Sequence, residues 1–220
     1  TGSVLLFSTY LGGDQDEFPG GIAVGPTGNA IVTGVTFSPN FPLQAALDGS
    51  LGGGSDAFVT SFTPAGSALS YSTFLGGSGD EYANAIAITS GGDAFVVGST
   101  RSSGFPTVAA YQATFGGGAR DAFVSCINPS GSTLAYSSFL GGGFTDEALG
   151  VAVSGTNPVV VGSTTSNNFP VAAAAQPALA SPGLSDGFGT RFASGTSLAT
   201  STYVGGSAAD SVKGVALDGK

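Results

Sequence analysis

The sequence predicts an all-β protein made of about three and a half copies of one four-stranded unit. Three observations carry that expectation: short phrases return at one period, the apolar runs between turn signals are of strand length, and the composition suits strands and tight turns. The 220 residues include 38 glycines and only 9% charged residues, with no Met, Trp or His. A helical chain of this length would draw on Lys, Glu, Arg and Leu, which helices accommodate at low cost. Gly, Ser, Thr, Ala, Val and Phe dominate instead, and these favour pleated surfaces and turns.

The repeat comes first, because a fixed period determines the architecture. Tyr10-Leu11-Gly12-Gly13 returns as Phe74-Leu75-Gly76-Gly77, Phe139-Leu140-Gly141-Gly142 and Tyr203-Val204-Gly205-Gly206, at spacings of 64, 65 and 64. Ile22-Ala23-Val24 returns at the same spacings as Ile86-Ala87-Ile88, Val151-Ala152-Val153 and Val215-Ala216-Leu217. The stretch from Gly34 to Phe41-Pro42 recurs at Gly98 to Phe105-Pro106 and at Gly162 to Phe169-Pro170. Asp56-Ala57-Phe58 recurs as Asp121-Ala122-Phe123 and Asp186-Gly187-Phe188.

The second copy displays the elements in order. Strands are expected at 84–89, 94–100, 122–128 and 134–140, separated by Ser90-Gly91-Gly92-Asp93, by the long stretch 101–120 and by Pro129-Ser130-Gly131-Ser132. The first two are nearly continuous apolar runs, as expected of strands covered on both faces. Four short antiparallel strands per copy describe a β-propeller blade. The period exceeds the roughly 40–50 residues of common blades, and the excess lies between the second and third strands. There Phe41, Phe105 and Phe169 each precede a proline, which holds them extended and ends the strand. Each ring is expected to tuck back over its own unit, with the insertion forming the outer rim or one face of each blade.

The expected division is one repeat domain over 1–220. Residues 1–11 supply the last strand of a preceding blade, 12–75, 76–140 and 141–204 supply three blades, and 205–220 supply the first strand of a following one. That makes fourteen strands, short of the roughly four to eight blades that close a propeller. A partial or open propeller is therefore expected, with a native N-terminus that is missing or processed. Its open ends would be completed by a longer chain or by other subunits, since a terminal strand with unpaired backbone invites strand addition.

The phrase Tyr71-Ser72-Thr73-Phe74-Leu75-Gly76-Gly77, followed by Asp80-Glu81, resembles the signature of bacterial SBBP-type β-propeller repeats. Gly28-Asn29-Ala30-Ile31-Val32-Thr33-Gly34 and Asp121-Ala122-Phe123-Val124 fit the same pattern. The resemblance implies a propeller in secreted or surface proteins and no activity. The third copy departs from it at Asn157-Pro158 and in the alanine-rich run 172–175.

A net charge of −9 with five basic residues argues against nucleic acid and anionic membrane surfaces. No apolar run reaches the roughly 20 residues of a membrane-spanning helix. Cys126 is the one cysteine, so no intrachain disulfide forms. It sits at or beside the place of Phe62 and Phe192 and reads as a small buried residue, because a nucleophile would want a histidine partner.

The acidic residues after each Gly-Gly are the candidate site. Asp14, Asp16, Asp80, Asp146 and Asp210 would lie on loops of one propeller face, where carboxylates could hold calcium, a cation that takes oxygen ligands. The alternative is that each caps backbone N–H groups in its turn. Asp56, Asp121 and Asp186 are expected to end the long loop in the same way. Glycine phrases such as Gly52-Gly53-Gly54 and Gly116-Gly117-Gly118 lack the Lys-Ser/Thr of a phosphate loop.

The expected function is a non-enzymatic extracellular scaffold or assembly module that self-associates through incomplete terminal blades. The alternative is a carbohydrate- or protein-binding adhesion module, with Phe37, Tyr111 and Phe144 as rim aromatics to test.

Overall fold

The computed structural model describes residues 4–194 and 196–218, and these contain three antiparallel four-stranded sheets and no helix. The first sheet is β1 (Glu17–Val24), β2 (Ala30–Thr36), β3 (Asp56–Phe62) and β4 (Leu69–Leu75), paired in that order. The second is β5 (Glu81–Ile88), β6 (Ala94–Thr100), β7 (Asp121–Ile127) and β8 (Leu134–Leu140). The third is β9 (Asp146–Ser154), β10 (Asn157–Thr164), β11 (Asp186–Ser194) and β12 (Ser197–Val204). The four strands expected in the second copy are therefore present, with β5 beginning three residues early.

Each first strand carries an irregularity against its neighbour, between Pro19 and Gly21, between Ala83 and Ala85, and opposite Val161 and Gly162. The irregularity turns a first-strand carbonyl over the glycine of the second strand. A Cβ on Gly34, Gly98 or Gly162 would collide with the carbonyl oxygen of Phe18, Tyr82 or Glu147 respectively. Backbone cannot give way there, so this recurring glycine is a steric requirement.

The core lies between sheets. β5 packs against β1, β2 and β3, and β9 packs against β5, β6 and β7. One apolar cluster joins Ile31, Val59 and Tyr71 of the first sheet to Ile86, Val96 and Phe123 of the second. Another joins Val97, Val124 and Tyr136 to Val160, Phe188 and Phe192. Strands β3, β6 and β7 are buried along their whole length. Of the two runs expected to be covered on both faces, β6 is buried throughout, whereas β5 mixes buried and half-buried residues.

The phenylalanine of each long insertion tucks back over its own sheet, as expected. Phe41 packs at 4.7 Å on Phe58, Phe105 at 4.7 Å on Phe123, and Phe169 at 4.5 Å on Phe188, each within its own sheet. The loop then runs along the outer strand. Gln44, Val108 and Ala172 form single bridges to Ser72, Ser137 and Ser201, whose hydroxyls donate to the carbonyls of Pro42, Pro106 and Pro170 at 2.6 Å. The edge that would otherwise be open to another chain is thereby covered. Directly after the bridge, Ala45, Ala109 and Ala173 take a left-handed conformation with φ of 44–47°.

The two terminal half-copies depart from expectation. Residues 4–11 and 212–217 form no strand, so twelve strands stand in the described chain rather than fourteen. A fourth strand draws its ladder bonds from the third strand of its own unit, and among the described residues no third strand pairs with residues 4–11. Packing is retained without the ladder: Phe7 lies 6.3 Å from Phe62 and under Gly66, just as Tyr71 lies under Gly131. At the other end Val212 donates its N–H to the Gly162 carbonyl at 3.1 Å, placing residues 210–214 along the third sheet.

Candidate functional site

The acidic turn residues divide into two structural positions one residue apart. Glu17 Oε2 accepts the Gly13 N–H, Glu81 Oε2 that of Gly77, Asp146 Oδ2 that of Gly142, and Asp210 Oδ2 that of Gly206. In all four the carboxylate lies four residues after the second glycine, closing the turn. The candidate set Asp16, Asp80, Asp146 and Asp210 therefore does not occupy one repeated position. Asp146 and Asp210 belong with Glu17 and Glu81, whereas Asp16 and Asp80 align with Thr145. The 65-residue spacing between the second and third copies is the signal that could have shown this.

Asp14 and Asp16 are exposed, and Asp80 forms a surface pair with Arg101 at 2.9 Å. These three do not converge with Asp146 and Asp210. Among the described residues, no group of three or more His, Cys, Asp or Glu is arranged to hold a metal ion.

Of the four turn-closing carboxylates, Glu17 and Asp210 are half-buried and the other two are fully buried. Glu81 and Asp146 are 0% exposed. Glu81 Oε1 accepts hydrogen bonds from the hydroxyls of Thr100 and Ser102, both at 2.6 Å. Asp146 Oδ2 accepts a second bond from Ser166 at 2.9 Å. The third-strand aspartates Asp56, Asp121 and Asp186 are also 0% exposed. Each ends its loop by accepting a backbone N–H through Oδ2: Gly52 at 2.9 Å, Gly116 at 2.6 Å and Ala180 at 2.9 Å.

The two kinds of carboxylate meet where one sheet hands over to the next. Asp56 Oδ1 and Glu81 Oε2 both lie 2.6 Å from the point where a Cβ on Gly76 would stand. Asp121 Oδ1 and Asp146 Oδ2 both lie 2.9 Å from the same point on Gly141. A backbone bond clamps each junction, with the Glu81 N–H donating to Ser55 O at 3.0 Å and Asp146 N–H to Arg120 O at 2.9 Å.

Burial pushes the Asp56 carboxyl up to about 7, and the Glu81 and Asp48 charges add to this while the N–H groups of Gly52 and Gly53 oppose it. Burial likewise raises Asp121 to about 7, with the Asp146 charge adding and the Gly116 N–H opposing. Asp146 is itself raised, chiefly by burial.

Two further features stand apart from these junctions. A cavity of about 630 Å³ opens between the hairpin ends of the second and third sheets, lined by Asp93, Phe95, Cys126, Tyr136, Asn157 and Phe192. Burial raises the Cys126 thiol to about 12, so it is an un-ionised apolar group there. On the other side of the molecule, Phe18, Ile22 and Val24 of β1 are 57%, 67% and 70% exposed. Of the rim aromatics, Phe144 is 55% exposed, whereas Phe37 and Tyr111 are half-buried beside Phe18 and Phe192. No family model matches this chain, and no curated protein matches it.

Proposed function

We propose that the chain is a non-enzymatic scaffold of β-propeller blades that assembles by stacking one repeat unit on another. The observation that carries this reading is the contrast between equivalent residues of the first strands. Ile86 on β5 is 9% exposed beneath the preceding sheet, whereas its counterpart Ile22 on β1 is 67% exposed. The face of β1 is thus a unit-to-unit face lacking its unit, and another copy of the repeat has the matching shape. The resemblance to SBBP-type repeats agrees with this reading, as does a secreted or surface location.

Sedimentation of the purified chain across a concentration series tests the assembly. The expected result is concentration-dependent association that Ile22→Asp abolishes while the melting midpoint stays within a few degrees of wild type. A wild type that stays monomeric at the highest soluble concentration would sink the proposal.

A second reading has its own observation in the cavity between the second and third sheets. Aromatic walls beside Asp93 and Asn157 suit a sugar ring or a short peptide, and a screen of glycans and peptides against wild type and Ala135→Trp tests it. Binding that the added indole blocks supports that reading, and absence of hits removes it.

A further inference from the structure

We propose that each buried Asp–acid pair at a sheet junction holds one shared proton, so that the second sheet is locked to its neighbours by carboxyl–carboxylate hydrogen bonds. The observation is an unmatched atom. Oδ1 of Asp56 and of Asp121 is buried and accepts no hydrogen bond, although Oδ2 of each is satisfied by a backbone N–H. Each orphaned oxygen shares the space beside a glycine with a carboxylate oxygen of the next unit. Asp56 Oδ1 and Glu81 Oε2 each stand 2.6 Å from where a Cβ on Gly76 would be, and Asp121 Oδ1 and Asp146 Oδ2 each 2.9 Å from the same point on Gly141.

Two ionised carboxylates so placed in a dry site repel and cannot both keep their charge. A proton on Oδ1 removes one charge and converts the orphan into a donor. The bond then runs from Asp56 Oδ1–H to Glu81 Oε2, and from Asp121 Oδ1–H to Asp146 Oδ2. Glu81 suits the acceptor role, because its two carboxyl oxygens already accept three hydrogen bonds.

A divalent cation would also neutralise the pairs, but it requires about six to eight oxygens. The first junction offers one unmatched carboxylate oxygen, Asp56 Oδ1, and the second offers two, on Asp121 and Asp146. A proton needs only one donor site and one acceptor.

The surrounding charges leave the protons where they are. The charges acting on Asp56 are the carboxylates of Glu81 and Asp48, and the nearby Asp80 carboxylate beside Gly54 is engaged by Arg101. Beside Asp121 the Arg120 guanidinium is directed to Glu147 at 3.7 Å and over the Tyr82 ring. The pairs lie within one chain and form whether or not copies associate.

The pH dependence follows in sign. Both Asp groups titrate in the folded chain near 7, above the value of about 4 that an unfolded aspartate takes. Between those values the folded state holds protons that the unfolded state has released, so stability falls as pH rises from about 4 to about 7 and levels off above.

Asparagine imitates the protonated acid, its Nδ2 donating where Oδ1–H would. Melting of wild type, Asp56→Asn and Asp121→Asn near pH 5 and near pH 8, in chelator, is the test. Each variant is expected to melt about 5 °C above wild type near pH 8, and to lose part of the wild-type difference between the two pH values. A variant that melts lower near pH 8, or keeps the full wild-type difference, overturns the proposal. Should the variants not fold, ¹³C NMR titration of the wild-type aspartate carboxyls decides, with a group titrating near 7 expected and none above 5 contradicting it. Calcium that lifts the wild-type midpoint near pH 8, a lift lost in Asp121→Asn, would assign the site to a cation and overturn the proton.

Discussion

At the scale of single residues, small departures from the repeat have legible consequences. Asp48 stands where the later copies carry Gln112 and Gln176. Gln176 donates to Asp186 Oδ2 at 2.8 Å and accepts the Gly205 N–H at 3.1 Å, and Gln112 makes the same pair of bonds at 3.4 and 3.0 Å. A carboxylate cannot donate, and Asp48 adds its charge to the crowd around Asp56. Asp48→Gln is therefore expected to stabilise the chain by about 1 kcal/mol near neutral pH, read by urea denaturation. An unchanged or lower midpoint would contradict it. The glycines give a sharper contrast. Gly98→Ala drives a Cβ into the Tyr82 carbonyl and is expected to cost several kcal/mol, on the order of the largest single-residue effects. Gly104→Ala meets open space and should stay within about 0.5 kcal/mol of wild type. Equal losses for the two would refute the steric account.

At the scale of elements, the insertion between second and third strands is part of each sheet. Its phenylalanine stacks on the third strand, and its backbone bridges the fourth through the Ser72, Ser137 or Ser201 hydroxyl. Those hydroxyls pass the bond inward as well: Ser137 donates to Pro106 O, so Ser125, 2.9 Å away, must donate to Ser137. Phe105→Ala should cost about 3–5 kcal/mol, the usual range for emptying a buried aromatic site. It should also raise amide exchange along β8 before the rest of the sheet, and uniform exchange across β5–β8 would argue that the rim is only appended. The Phe-Pro steps and the four strand runs were readable in the sequence, because strand periodicity and turn residues are local properties. The strands expected near the two ends were not realised at 4–11 and 212–217, since a strand is a relation between two segments and no strand pairs with these among the described residues.

At the scale of the molecule, sheets stacked through their first strands leave Ile22 and Val24 exposed on one face of β1. Association through that face and proton sharing at the internal junctions respond to different perturbations. Ile22→Asp should alter sedimentation and leave the pH dependence of melting intact, while Asp121→Asn should do the reverse. The repeat, its strands and turns, and the all-β class could be read from the chain alone, because they follow from spacing and from side-chain type along a few neighbouring residues. Pairing of Asp56 with Glu81 and of Asp121 with Asp146 could not. Those partners stand 25 residues apart, and what makes them a pair is the removal of water from both at once. Burial of that kind exists only after the sheets have closed on each other, and it turned two ordinary turn-capping acids into one site.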